Sequence, residues 1–268
     1  MKRIKGHFAN EIAIVTPNGA ILSTSPEEAL KKWQQLPRAT RRTVDALGKY
    51  EAAREPSPPA GGLILKVFAR PLVRDSSGHL AIYRNPKAHL SKEPGRDHLW
   101  LTRPEWRSLL PAQAEVGERV TVPGPIADRL CRRYLIDLVR IGGEGGPRRP
   151  EDVLSRDLVL TVAEVSSDRI SLQLEGAFRC LSRGPEYGTP GKGGRKDTFH
   201  ARGIVEFDRK AETFRRFDIV ALCETSHYDE IGKRLVPLGV AFELSHGETP
   251  ADRVRPHSFY HDYFGVRR

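Results

Sequence analysis

The sequence is short of cysteine, and its cysteines are never close together. Cys131, Cys180 and Cys223 form no CxxC pair and no zinc-ribbon spacing. A sparse, odd count also argues against a disulfide framework. The three are read as partly buried thiols of a reducing compartment, with no redox chemistry and no intrachain bridge. No stretch approaches the roughly 20 apolar residues that a membrane helix needs. No apolar run follows the basic residues of the first ten positions, so no signal peptide is read and a cytoplasmic location is expected. GxSxG and HExxH are absent, and no internal repeat stands out. These absences leave no recognisable catalytic motif, and neither a cofactor nor a metal is expected.

What is present is enough for a packed core. Of 268 residues, 38% are apolar and 29% charged, the balance of a globular chain rather than a disordered one. The net charge of +10 favours anionic partners such as nucleic acid or a phosphate-bearing surface. Most of the basic residues, however, read as a solvated face.

Along the chain, Ile12 to Val15 and Ala20 to Leu22 flank the turn Pro17-Asn18-Gly19 and read as a hairpin. Ser25, Pro26 and Glu28 then form a helix start with a capping box, and Ala29, Leu30, Trp33 and Leu36 share one helical face. Thr40 to Ala53 reads as a charged helix. Three prolines and two glycines within residues 55–62 mark a linker. The chain is therefore divided into an N-terminal hairpin-helix segment (1–54), the linker (55–62), a β-rich domain (63–247) and a C-terminal tail (248–268).

Strand signals dominate the third part. Leu63 to Val73 alternates, and further strands are read at His79 to Tyr83, Asp157 to Val165, Arg169 to Phe178, Phe199 to Phe207, Thr213 to Cys223 and Leu235 to Leu244. Phe217 to Ala221 is expected among the most buried runs, as in a central strand. Short connections require antiparallel pairing. Thr102 and Glu105 form a capping box for a helix through Leu110. Pro125 to Leu138 reads as a second helix, with Ile126, Leu130, Tyr134 and Leu138 inward and Arg129, Arg132 and Arg133 outward. The expected fold is α+β, mainly β: an antiparallel meander, barrel-like or a sandwich, with two or three helices and a small N-terminal appendage.

The order strand, NG turn, strand, capped helix in Glu11 to Leu36 resembles the end of a thioredoxin-like fold. The CxxC helix that precedes it there has no counterpart, so the resemblance implies a remnant and no redox cysteine. Residues 62–247 resemble an uncharacterised family of bacterial β-rich proteins. The likeness is carried by Gly62-Leu63-Ile64-Leu65-Lys66-Val67, Arg96-Asp97-His98-Leu99-Trp100-Leu101-Thr102, Arg216-Phe217-Asp218-Ile219-Val220-Ala221 and Pro237-Leu238-Gly239-Val240-Ala241-Phe242-Glu243-Leu244. It implies a shared fold and no activity.

Three clusters hold candidate chemistry. Asp97, His98 and Trp100 could orient an imidazole for acid–base work or metal binding. Their structural reading puts Trp100 in the core and Asp97 in a turn. Arg129, Arg132 and Arg133, with Lys192, Arg195 and Lys196 of the loop Gly184 to Asp197, could bind an anion. That loop lacks the GxxxxGK[ST] pattern of a phosphate cradle and reads instead as a disordered hairpin loop. His246, His257 and His261 could join His227 and Cys223 around a metal, but no glutamate completes HExxH, and they read as solvated or packing histidines. The leading expectation is a non-enzymatic binding or structural protein. The alternatives are a basic anion- or nucleic-acid-binding protein and a degenerate relative of a thiol-redox fusion protein.

Overall fold

The computed structural model describes residues 14–15, 21–23, 26–37, 39, 57–83, 94–136, 138, 147–182, 195–229, 234–247, 252, 254–257 and 263–264. The chain divides into two compact units, Met1–Pro56 and Ser57–Arg268. In the first, β1 (Ile14–Val15) pairs antiparallel with β2 (Ile21–Ser23), and α1 (Pro26–Gln35) follows. Lys32 and Glu28, one turn apart, form an ion pair at 3.2 Å. Asn18, Gly19, Ser25 and the helix expected over Thr40 to Ala53 lie outside the described residues.

The second unit is built on one open antiparallel sheet. Its strands are β3 (Leu63–Arg74), β4 (Leu80–Ile82), β5 (Gly95–Leu101), β6 (Arg119–Thr121), β7 (Val153–Val165), β8 (Arg169–Ser182), β9 (Arg195–Asp208), β10 (Thr213–Asp229) and β11 (Arg234–Ser245). The order across the sheet is β4-β3-β11-β10-β9-β8-β7-β6, with β5 also on β3. Strands β7 to β11 are consecutive hairpins, and β11 returns to β3. The expectation of an α+β, mainly β fold holds. Among the described residues the sheet stays open and does not close into a barrel. Arg195 and Lys196, expected in a loop, open β9 opposite Ser182 and Leu181 of β8. Lys192 lies outside the described residues.

One face of each strand builds the core. Leu63, Leu65, Val67 and Ala69 of β3, Leu158, Leu160 and Val162 of β7, and Ile170, Leu172 and Leu174 of β8 are all buried, as their period of two predicts. On β10, Phe214 and Phe217 are both buried although three residues apart. A shift of register between Phe214 and Arg216 inserts one extra residue and brings both rings to the same face. They meet edge to face at 5.5 Å. Phe214 also meets Trp106 and Phe207, each at 5.6 Å.

Trp106 is the buried residue of α2 (Arg103–Arg107), which is shorter than the sequence reading. The Thr102–Glu105 capping box is formed, and the Trp106 indole N–H donates to Gly61 O at 2.9 Å. Residues of the expected linker thus form a turn against α2. Gly62 is required there, because a Cβ would fall 2.6 Å from Leu101 O. Helix α3 (Gly124–Arg133) ends five residues before the predicted Leu138. Ile126, Ala127, Leu130 and Cys131 of α3 are buried. A glycine is also needed at Gly176, where a Cβ would sit 1.9 Å from Asp157 O on β7.

Candidate functional site

The structure joins two of the clusters that the sequence left separate. Asp97 is in strand β5, not in a turn. It pairs with Val67 and faces the core on the same side as Leu99 and Leu101, which explains how a carboxylate comes to be buried. Its Oδ1 accepts the backbone N–H groups of His98 and His257, each at 2.7 Å. Its Oδ2 is buried with no hydrogen-bond partner among the described residues. Burial raises the Asp97 carboxyl above the usual carboxylate range, against the smaller downward pull of those two N–H groups. His98 is half-buried. Burial lowers its imidazole, while Asp252, which pairs with Lys66 at 2.6 Å, pulls the other way. Trp100 is fully buried, as expected.

Arg129 and Arg133 do not face solvent. They are 5% and 2% exposed, so the outward reading of α3 is wrong for both. The Arg129 guanidinium donates to Tyr263 O (2.8 Å), to Trp100 O (3.1 Å) and to both carboxylate oxygens of Glu105 (3.2 and 2.5 Å). It also stacks over the rings of Tyr263 and Phe264 at 4.8 and 5.1 Å. Arg133 lies over the Tyr263 ring at 5.4 Å. Arg132 is half-buried and donates to Arg148 O at 2.9 Å. An arginine can be buried when its charge is matched and its donors are satisfied. The compensating Glu105 comes from another helix, 24 residues away in sequence.

Two tyrosines complete the cluster. The hydroxyls of Tyr134 and Tyr263 are 2.6 Å apart. The Tyr134 hydroxyl also contacts His98 O at 2.8 Å, and the Tyr263 hydroxyl accepts the Trp100 N–H at 3.0 Å. Burial pushes the Tyr263 hydroxyl up to about 12 and the Tyr134 hydroxyl well above its ordinary value. Burial is also the largest single influence on Glu105 and raises it. Arg129 and the Thr102 hydrogen bonds together outweigh that and hold the carboxylate below its usual range. The cluster therefore fastens the C-terminal segment, through Tyr263 and His257, to β5 and α3. Tyr263 lies in the C-terminal tail, for which the sequence reading gives no role. Its only local signal is that the tail is richer in aromatics than its surroundings.

The other candidates do not assemble around a ligand. His246 and His257 are exposed, the His227 side chain and His261 lie outside the described residues, and no metal-binding group forms among the described residues. Lys196 is exposed on β9. All three cysteines are buried and free. The neighbouring Cys131 thiol, followed by burial, raises Cys180, whose Sγ lies 3.9 Å from Asp197 O.

A different surface stands out on the outer face of the sheet. A broad depression of about 600 Å³, lined by β8, β9, β10 and β11, opens to solvent there. Two of its lining residues are exposed aliphatics, Val220 at 61% and Ile204 at 39%. The expectation that Phe217 to Ala221 is among the most buried runs holds for Phe217, Ile219 and Ala221, which face the core, while Val220 faces out. Around the two aliphatics stand Arg202, Arg216, Glu175, Asp218 and Glu243. Arg216 pairs with Asp218 at 2.6 Å, and Arg202 lies 3.7 Å from Glu175. Ala241, opposite Val220 on β11, leaves the floor low between these longer side chains. A second depression of about 580 Å³ adjoins it, sharing Glu175 and Arg202 and adding Arg119, Asp157 and His200.

Fold and clusters together define an α+β protein on an open antiparallel sheet, with an internal polar cluster and an exposed sheet face. Compared with known protein families, curated proteins and solved structures, the chain matches none.

Proposed function

We propose that this is a non-enzymatic binding or structural protein that works through the outer face of its sheet. The observation that supports this is Val220, 61% exposed in the middle of β10. The solvated side of an antiparallel sheet ordinarily carries polar residues at such positions. Here two aliphatic side chains lie open in a depression rimmed by both signs of charge, the composition of a protein contact surface rather than of a catalytic cleft. The most chemically suggestive residues serve the interior instead. Arg129, Glu105, Tyr134 and Tyr263 bond to one another and to backbone carbonyls and amides.

The test uses Gln173→Cys, exposed on the rim of the depression, labelled with an environment-sensitive fluorophore. Because Cys131, Cys180 and Cys223 are buried, the introduced thiol is the one that reacts. Val116→Cys, at a 69% exposed position away from the depression, is the control. Emission at position 173 should change on adding unlabelled protein or a cell extract, with no change at 116. No response to either addition overturns the reading.

A further inference from the structure

We infer that the partner of this sheet face is a second copy of the same chain, related by a two-fold axis near Val220; this rests on the reading of the face as the working surface. The argument is complementarity. The rim carries Arg202 and Arg216 against Glu175, Asp218 and Glu243. A nucleic acid would meet three carboxylates at this surface, and a strongly basic partner would meet two arginines. A copy rotated by half a turn can set each copy's arginines against the other's carboxylates and close the exposed aliphatics over one another, as an isologous interface requires.

The extent of the face fits. The strands from β7 through β8, β9 and β10 to β11 are contiguous in the sheet, and beyond them the outward Lys66 of β3 is engaged by Asp252. At about 4.8 Å per strand and about 3.4 Å per residue, five strands of about eight residues offer ~650 Å², within the range per partner of a standard interface. The net charge of +10 opposes the approach of two copies, and salt screens that repulsion. Moderate salt should therefore preserve association, where it would abolish phosphate binding.

Sedimentation velocity of the full chain over a wide concentration range is the test. The expected result is a monomer–dimer equilibrium, weakened at least tenfold by Val220→Lys and by Arg202→Glu, with melting temperatures unchanged at concentrations where the chain is monomeric. Val116→Lys, off the face, should leave it as it is. Both face positions are exposed, so neither variant threatens folding. A chain monomeric at every concentration overturns the inference, as does equal weakening by Val116→Lys. If the chain is monomeric while the label at position 173 answers to cell extract, the second copy is wrong and the working face stands. If that label answers to nothing, both fall.

Discussion

The hydroxyl of Tyr263 lies 2.6 Å from that of Tyr134, and this contact ties the C-terminal segment to the end of α3. Around it a buried guanidinium, a carboxylate and two aromatic rings form one connected set. The set explains why arginines that look like surface residues in the sequence are among the least exposed in the protein.

Arg129→Met should destabilise the protein by about 3 kcal/mol, because it leaves the Glu105 carboxylate without its counter-charge. Adding Glu105→Gln should recover part of that loss, since no buried charge then remains. Urea denaturation of the two variants and of the double variant measures both. A loss below about 0.5 kcal/mol for Arg129→Met would mean that the pair does not hold the cluster together.

Asp97 gives the stability a pH dependence of known sign. Its carboxyl is raised in the folded state, first by burial. A raised carboxyl favours folding while protonated, and that contribution is lost as pH rises through the folded value. Asp97→Asn keeps an oxygen to accept the His98 and His257 N–H groups and cannot ionise. The wild type should therefore lose stability relative to Asp97→Asn as pH rises above about 4, the ordinary aspartate value. Parallel stability curves for the two proteins would contradict the burial of this carboxylate.

Alternation along β10 predicts opposite outcomes three residues apart. Phe217→Ala removes a core ring in contact with Phe214 and should cost roughly 3–5 kcal/mol. Val220→Ala, on the outer face, should change the stability of the monomer, measured at dissociating concentrations, by about 0.5 kcal/mol or less. Comparable losses at both positions under those conditions would contradict the outward placement of Val220.

Denatured, unreduced protein should show three free thiols to a chromogenic reagent. In native protein all three should react slowly, because each is buried. Fewer than three on denaturation would reveal a bridge, and Cys131 with Cys180, whose thiols are neighbours, would be the pair to examine.

If the chain binds nucleic acid, the binding should be weak, with affinity falling steeply as salt rises. Arg133→Met should leave that affinity unchanged, since the side chain is buried under Tyr263. A specific loss on this substitution, in a variant of unaltered stability, would return α3 to the candidate anion site.

The sequence by itself determined the long strands and their core faces. In Leu63 to Ala69, Leu158 to Val162 and Ile170 to Leu174, alternate residues are apolar, and the two-residue period of a strand is a local property. The Thr102–Glu105 capping box is equally local, since its partners are three residues apart. The tertiary structure alone decided the rest. Nothing in Gly95 to Leu101 alternates, so β5 was not legible, and neither was the burial of Asp97 that follows from its pairing with Val67. Arg129 and Arg133 could be placed inside only once Glu105 and Tyr263 were known to reach them, because a charge's burial depends on partners that the fold brings from elsewhere in the chain. The outward turn of Val220 was hidden for the related reason that a run of apolar residues does not say whether one face or both are covered. That depends on which elements lie against the sheet, and in this protein the described helices and the C-terminal segment leave the Val220 side open.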